Sequence, residues 1–230
     1  MFSINWFETF AEKVPQSTSE IELKGISRAL PVEQYPRVLD VGCGIGRVAG
    51  PLASLGYVVT GLDINVEALR RAQRQAPGPR YVALDQRHVG RMRWQFDAAL
   101  ILWHSLGFAG RGTDLETLTG LAGVVRPGGR VALELFHPEW LAQHELSGQP
   151  DDRGAISVRR WLRQGRCCHE IRYENGRVDR IEFELYSPDE ICELAQRSGL
   201  KPDHLMVWWD PLRCPGPDCA RYQLLCERAV

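Results

Sequence analysis

The sequence of 230 residues predicts an α/β protein with a doubly wound, mostly parallel seven-stranded sheet and an antiparallel three-strand insertion. The first observation is a regular alternation of short apolar runs and helical segments over residues 36–137. The second is that these runs are apolar on both faces, which is typical of parallel strands covered by helices on both sides. The third is that charged and apolar residues alternate over residues 155–186, as in antiparallel strands with one face in water. Right-handed crossovers between the parallel strands give the doubly wound arrangement.

The composition is that of an ordinary globular protein. Hydrophobic residues make up 44% of the chain and charged residues 25%, and the net charge of −1 gives no overall basic field that would attract nucleic acid. The first residues include Glu8 and Glu12, which a secretory signal peptide would not contain. The longest weakly polar run, residues 98–110, is too short to span a bilayer. We therefore expect a cytoplasmic protein with no membrane partner.

The seven cysteines show no regular disulfide framework, so we expect free thiols and no bound metal. A zinc site is a weak alternative, because Cys214 and Cys219 flank a Pro/Gly loop. A pair at this spacing without a matching second pair is little evidence for zinc. Further ligands would have to come from Cys167, Cys168, His169 and Cys226.

The chain begins with a predicted helical cap over residues 1–35, in two helical pieces broken around Pro15. An α/β core over residues 36–150 follows. Its first strand is RVLDVG, and the next helix ends at Gly56, a favourable C-terminal cap. Pro51 lies inside that helix and is expected to bend it or to remove a hydrogen bond.

The second strand is YVVTGLD, and Asn65 is the predicted N-cap of a helix over Val66–Gln75. RYVALD and FDAALILW are the third and fourth strands. A capping box of Thr113 and Glu116 is expected to open the next helix. RPGGRVALELF is a tight turn followed by the fifth strand.

Residues 151–186 are predicted to form the three-strand insertion, which contains one hairpin whose register can be tested. A two-residue turn would put Ile181 and Phe183 on the face opposite to Ile171 and Tyr173. A three-residue loop ending in a left-handed Gly176 puts all four on one face, so we predict this loop.

Residues 187–230 are predicted to return to the core. Ser187 and Glu190 form a capping box with a proline at the first helical position, and the helix ends at Gly199. HLMVWW and RYQLLCE are the last two predicted strands, paired across a Pro-rich loop over residues 211–219.

The glycines after the first strand predict a nucleotide-type ligand, and their spacing and the residues that follow must decide which kind. The dinucleotide fingerprint requires a glycine where this chain has Arg47, so that pattern fails. The actual pattern is Asp40-x-Gly42-x-Gly44-x-Gly46, with a second carboxylate at the end of the next strand. It resembles the class I S-adenosylmethionine-dependent methyltransferases, through motifs over residues 36–137 and through topology elsewhere. The resemblance implies a Rossmann-like methyltransferase fold and S-adenosylmethionine as cofactor.

The cofactor-binding residues implied by this resemblance lie at the ends of the first four strands. A glycine turn lets the backbone approach the ligand without Cβ contact. Asp63 would accept hydrogen bonds from ribose hydroxyls, Ile64 would pack on adenine, and Asp85 would lie near the adenine amine. The complete predicted set is Asp40, Gly42, Cys43, Gly44, Gly46, Asp63, Ile64, Asp85, Gln86, Leu102 and Trp103.

Catalytic residues are harder to predict, because a sulfonium methyl group is already activated and positioning provides much of the rate. His104 and His137 are the candidates, since both follow central strands at their carboxyl ends. A histidine hydrogen-bonded to a loop carbonyl is the alternative interpretation of His104. Glu134 and Glu139 are weaker candidates. Trp6, Phe10, Trp161 and Trp103 could line an apolar acceptor pocket.

The predicted reaction is methyl transfer to a nitrogen or oxygen atom of a small molecule held beneath the insertion, in a monomer or homodimer. One alternative is an RNA methyltransferase, because residues 153–180 contain eight arginines and only three acidic residues that could oppose them. A strand face that shares its charge with nearby acids, or an anionic small acceptor, would also explain them. The other alternative is a sensor that binds the cofactor or its demethylated product without turnover.

Overall fold

The structure is a computed structural model that describes residues 3–93, 95–151 and 155–229. Its main sheet has seven strands in the order β10-β11-β5-β4-β1-β2-β3, and only β11 runs antiparallel to its neighbours. The predicted doubly wound fold is confirmed. The strands of this sheet are β1 Arg37–Val41, β2 Val58–Asp63, β3 Arg80–Ala83, β4 Phe96–Ile101, β5 Val125–Phe136, β10 Leu200–Met206 and β11 Arg221–Arg228.

Helices cover both faces of this sheet. The N-terminal segment breaks around Pro15 as predicted, and its first helix continues as a short π-helix over Phe7–Ala11. Asn65 caps its helix, since its side chain accepts from two backbone N–H groups of the first turn. The α-helices are α1 Ile4–Trp6, α2 Gln16–Ala29, α3 Ala49–Ser54, α4 Val66–Gln75, α5 Arg111–Val124, α6 Pro138–Gln143 and α7 Pro188–Arg197.

Two apolar layers hold the sheet. In one, Leu39 of β1 and Leu133 of β5 cluster with Leu118 of α5 and Leu194 of α7. The other buries Val38 and Leu52, together with residues of α2 and α3. Since β1 pairs with both β2 and β4, the helices that follow β1 and β4 leave on opposite faces, and a crevice opens at the carboxyl ends of these strands.

The antiparallel insertion has four strands, not the three predicted. Its strands are β6 Leu146–Asp151, β7 Ala155–Arg163, β8 Arg166–Tyr173 and β9 Val178–Glu184, paired in chain order. The additional strand β6 lies, except for its last residue, within residues 36–150, the segment predicted as core. Its sequence, LSGQPD, contains Gly and Pro, which are rare in strands except at edges, and β6 is an edge strand. The predicted segment boundaries at 35, 150 and 186 stay predictions.

The hairpin between β8 and β9 has the predicted loop. Tyr173 N–H donates to the Arg177 carbonyl at 3.0 Å, which leaves three residues between them, and Gly176 has φ +79°. The register puts Ile171, Ile181 and Phe183 on one face, and all three are buried. The buried pattern of both strands therefore agrees with the turn chemistry.

The start of α5 differs from the prediction. The expected Thr113–Glu116 capping box is wrong, because α5 begins at Arg111 after Gly110. Within its first turn, the buried carboxylate of Asp114 accepts from the Gly107 N–H at 3.0 Å and from the Tyr186 hydroxyl at 2.6 Å.

Pro51 lies in the first turn of α3. Its neighbours Gly50 and Leu52 donate to the carbonyls four residues earlier at 3.0 and 3.1 Å, a hydrogen bond that Pro51 cannot make. One further prediction is corrected. The strand predicted over HLMVWW ends at Met206 instead, because Trp208 and Trp209 adopt left-handed φ angles of 56° and 59°. The capping box of Ser187 and Glu190 is confirmed.

In the part of the chain that the structure describes, we find no helix that combines the length and the apolar character needed to cross a membrane. Arg153, one of the eight arginines noted in the sequence, lies outside the described residues.

Candidate active site

A cavity of about 350 Å³ lies at the carboxyl ends of the central strands. All of the predicted cofactor residues except Gly46 line it. One end is formed by the loops after β1, β2 and β3, and the other end by aromatic side chains of the N-terminal helix and of the loop after β4. The remaining lining residues are Trp6, Phe7, Ala11, Ile45, Arg47, Val48, Leu62, Asn65, Leu84, Arg87, Ser105, Phe108 and Ala109.

The glycine loop is shaped by close approaches to other elements. Gly44 has φ +54°, and a Cβ atom there would overlap the ring of Phe7. The N-terminal helix therefore lies directly on the loop, which only a residue without a side chain permits. Gly46 has φ +79°, and a Cβ atom there would overlap the hydroxyl of Tyr81. Gly46 thus serves the packing of the loop and does not line the cavity.

Asp63 orders the loop from the end of β2. One carboxylate oxygen accepts from the Gly44 N–H at 2.8 Å and the other accepts from the Asn65 N–H at 2.8 Å. The carboxyl group is 9% exposed, and burial raises its pKa although the backbone hydrogen bonds oppose this. Each oxygen keeps a lone pair for a further donor at the cavity surface.

Asp40 is the other buried carboxyl group of this wall, at the end of β1. It is 3% exposed, and burial raises its pKa to about 7. The charge of Arg47 opposes this shift, while the charges of Glu22 and Asp63 add to it. A cationic ligand group in the cavity would favour the ionised form of Asp40.

The residues after β2 and β3 offer one apolar and two polar groups. Ile64 is 51% exposed, which is unusual for isoleucine and leaves an apolar surface for a ligand ring. Asp85 forms an ion pair with Arg87 at 2.6 Å, and this hydrogen-bonded partner lowers the pKa of Asp85. The Gln86 amide donates to the Ser105 carbonyl at 3.0 Å and so ties this turn to the loop after β4.

Trp103 has contacts that the sequence did not reveal. It has a left-handed φ of 54°, and the guanidinium groups of Arg47 and Arg221 lie 4.4 and 4.2 Å from its ring centroid. Each guanidinium is paired with a buried carboxylate: Arg47 with Glu22 at 2.6 Å, and Arg221 with Glu134 at 3.1 Å. Two cation–π contacts thus orient the indole at the cavity wall. Leu102, just before it, is buried.

His104 lies next to the cavity wall but does not line it. Its Nδ1 accepts from the Phe136 N–H at 3.1 Å, so its Nε2 donates to the Glu184 carbonyl at 2.9 Å. Burial lowers the pKa of His104 to about 3. A neutral ring with both nitrogens engaged supports the alternative interpretation of a structural histidine. Through these two hydrogen bonds, His104 joins β5 and β9 to the turn that contains Trp103.

The other candidate catalytic residues also lie away from the cavity. His137 is buried at the start of α6, with its ring 5.9 Å from that of Tyr222. Its Nδ1 has no hydrogen-bond partner among the described residues. Glu134 is committed to Arg221, and Glu139 is exposed on α6.

The predicted acceptor-site aromatics separate in the structure. Trp6 lines the cavity, whereas Phe10 packs against Val158 and Ile171 of the insertion. Trp161 does not line the cavity and lies on the opposite face of β7, beside Arg159. Phe7 and Phe108 line the cavity and were not predicted. Phe7 and Phe10 are spaced for one helix face, but this spacing does not specify what the face covers.

The cysteines are free thiols, of which Cys43 at the cavity is buried. Burial raises the pKa of the Cys43 thiol, so it stays protonated. Cys214 is exposed in its loop, and Cys167 and Cys168 are buried in the insertion. Among the described residues, no group of three or more metal-ligating side chains gathers in one place.

The fit to S-adenosylmethionine can be tested on this geometry. The bare backbone at Gly44, the buried carboxyl groups of Asp40 and Asp63, and the exposed Ile64 at one cavity provide close approach, anionic acceptors and an apolar surface. These are complementary to a cationic amino acid, a ribose and a purine. The residues present therefore fit this cofactor.

Comparisons with known proteins agree with this site. Residues 38–129 match the family described as methyltransferase domain. Malonyl-[acyl-carrier protein] O-methyltransferase of Salmonella typhimurium is 34% identical over 172 residues, which are 75% of this chain and 67% of that protein. Two other curated relatives are covered over only 44% and 65% of their own lengths, so the chain spans less than two thirds of each.

Solved structures share the fold. A S-adenosylmethionine-dependent methyltransferase from Clostridium acetobutylicum superposes with a TM-score of 0.79 at 13% identity, covering 99% of this chain and 97% of that one. S-adenosylmethionine-bound CalS10, an amino pentose methyltransferase from Micromonospora echinaspora, has a TM-score of 0.75 at 18% identity, covering 100% and 98%. The fold, the site and the Salmonella relative together show that the chain belongs to the class I S-adenosylmethionine-dependent methyltransferases.

Proposed function

We propose that this protein transfers a methyl group from S-adenosylmethionine to an oxygen or nitrogen atom of a small molecule. The main support is the arrangement of the cavity. Its cofactor end contains the glycine loop and carboxyl groups, and its other end is walled by Trp6, Phe7, Phe108 and Trp103. The four-stranded sheet covers this apolar end, since its buried side chains pack on Trp6 and Phe108.

At the cofactor end, the chain's own residues bind and orient. When bound, S-adenosylmethionine supplies a methyl group on a sulfonium whose leaving group is neutral. Asp63 has remaining acceptor capacity for ribose hydroxyls, and Ile64 provides the surface for adenine. Asp40 places a carboxyl group near the loop that approaches the methionyl part. Phe7 closes the cavity over Gly44 and excludes water.

At the acceptor end, positioning is the main contribution. No histidine lines the cavity among the described residues, and the nitrogens of His104 are both engaged. An acceptor that is nucleophilic without a protein base, such as a neutral amine or a carboxylate, suits this wall. One relative is named as an O-methyltransferase, and one structural neighbour is named as an amino pentose methyltransferase.

The arginine-rich segment favours a small acceptor over RNA. Arg172 and Arg180 both pair with Glu170, at 3.0 and 2.8 Å, and Arg163 pairs with Glu182 at 2.6 Å. Glu170 and Glu182 thus offset part of the positive charge of this segment, which leaves a weaker basic surface for a phosphate backbone than the count of arginines suggests.

The test measures binding and transfer separately. Calorimetry with S-adenosylhomocysteine should give saturable binding, weakened at least tenfold in Asp63→Ala. The matched control is Asp189→Ala, at an exposed position of α7, which should bind like the unchanged protein. Methyl-labelled S-adenosylmethionine is then incubated with a low-molecular-weight cell extract and with purified RNA.

Label in extract compounds is the expected result. Label in RNA alone would replace the proposal by the RNA methyltransferase alternative. Binding without label in either pool would indicate a sensor. Absence of binding would reject the cofactor assignment itself. The cytoplasmic location and the monomer or homodimer state stay predictions.

A further inference from the structure

The inner face of the four-stranded sheet is the face that packs towards the cavity. Most of its side chains are apolar, but Arg160 on β7 and His169 on β8 are direct cross-strand neighbours on it. Because side chains two residues apart share a face, Arg160 lies between Val158 and Leu162. A polar pair thus interrupts an otherwise apolar surface.

The position of this pair relative to the cavity follows from its neighbours. On one side, Val158 and Ile171 pack with Trp6. On the other side, Cys167 and Phe183 belong to the cluster that includes Phe108. Trp6 and Phe108 both line the cavity. The row that contains Arg160 and His169 lies between these two contacts along the sheet, although neither side chain itself lines the cavity.

Both side chains have buried nitrogen atoms without partners. The Nε of Arg160 and the Nε2 of His169 have no hydrogen-bond partner among the described residues. The rest of the Arg160 guanidinium is fixed, because its Nη2 donates to the His144 carbonyl and the group lies 5.4 Å from the Trp140 ring centroid. None of the carboxylates in the described chain forms an ion pair with it.

This arrangement is unfavourable without a ligand. A buried donor that lacks an acceptor is destabilising, and more so when the group is charged. Burial lowers the pKa of Arg160, and burial followed by the charge of Arg160 lowers the pKa of His169 to about 4. An anion between the two side chains would satisfy both nitrogens and offset the unpaired charge.

We propose that Arg160 and His169 bind an oxyanion, a carboxylate or a phosphate, of the methyl acceptor. This inference rests on the proposed function for the identity of the ligand as the acceptor. Arg160 donates through Nε, and His169 donates through Nε2 from its neutral or protonated ring. The protein would thus select acceptors that have a negative group.

The experiment follows histidine signals by NMR in protein labelled with ¹³C-histidine, without cofactor. His169→Gln identifies the His169 signal. Sodium acetate and sodium phosphate are titrated separately, with sodium chloride at equal ionic strength as the reference. We expect a saturable shift of the His169 signal with one of the oxyanions, at a dissociation constant on the order of 1–10 mM.

Arg160→Met should weaken this binding at least tenfold. Arg159→Met is the matched control, because it removes the neighbouring arginine from the opposite face of β7, and it should change the affinity less than twofold. If Arg160→Met does not fold, Arg160→Lys is used instead. Which oxyanion binds distinguishes a carboxylate acceptor from a phosphorylated one.

Several results would overturn the proposal. They are no saturable shift with either oxyanion, an equal shift with chloride, or equal affinity in the Arg160 variant. Lower thermal stability of Arg160→Met with unchanged oxyanion affinity would assign Arg160 a structural role. Because this titration contains no cofactor, it can succeed while S-adenosylhomocysteine binding fails, and the two proposals are tested independently.

Discussion

Asp40→Asn is expected to make the free protein more stable at neutral and alkaline pH while weakening cofactor binding. The side chain is 3% exposed, and burial raises its pKa from 3.8 to about 7. The pKa of this carboxyl group is higher in the folded protein than in the unfolded protein, so its protonated form stabilises the fold. This contribution is fully present below pH 3.8 and is lost as the pH rises to about 7. At about 1.4 kcal/mol per pKa unit, the full loss is on the order of 4 kcal/mol.

Asparagine has the same shape as aspartic acid and does not ionise, so Asp40→Asn removes this pH-dependent loss of stability. Between about pH 5 and about pH 8, linkage gives the variant a gain of roughly 3 kcal/mol in the free energy of unfolding relative to the unchanged protein. The assay is urea unfolding followed by tryptophan fluorescence at several pH values, with a free energy of unfolding for each protein. Comparing the two proteins cancels the titration of all groups that they share.

Cofactor binding should change in the opposite direction. A ligand with cationic groups favours ionised Asp40, so the affinity of the unchanged protein for S-adenosylmethionine should rise as pH increases through 7. In Asp40→Asn the affinity should be lower and nearly independent of pH in this range. A stability difference that stays constant with pH would refute the reasoning, because it would mean that Asp40 titrates alike in the folded and unfolded protein.

Three other outcomes are expected. Gly44→Ala should weaken S-adenosylhomocysteine binding more than tenfold in calorimetry, because the new Cβ overlaps Phe7; Gly56→Ala, also at positive φ but with nothing within 4 Å of its Cβ, should not. His104→Gln should lower the free energy of unfolding by about 2–4 kcal/mol and leave the shape of the kcat–pH profile unchanged; a lost ionisation in that profile with normal stability would show a catalytic base. Asp179→Asn should weaken the hydrogen bond that the Ser3 hydroxyl donates to this carboxylate at 2.8 Å, and so increase the rate at which a protease cleaves residues 12–15. An unchanged cleavage rate would contradict this prediction.

The local chemistry of the fold was predictable from residues close together in the chain. The caps at Asn65 and Ser187 formed as expected, because each involves a side chain and N–H groups two or three residues away. The loop at Gly176 followed from its φ requirement and from the alternation of its strands. The edge strand β6 was not predicted, because its own residues have a low propensity for strands. Its pairing with β7 stabilises it as a strand instead.

The sequence by itself determined that a glycine loop and two carboxylates, Asp40 and Asp63, meet at one edge of a parallel sheet, because parallel strands bring their carboxyl ends together. Only the tertiary structure decided what the neighbouring side chains do. His104 follows a central strand like a catalytic residue, but partners from β5 and β9 engage both its nitrogens. Trp103 likewise depends on Arg221, a residue far away in the chain. Burial and hydrogen-bond partners are long-range properties, which spacing along a single chain does not specify.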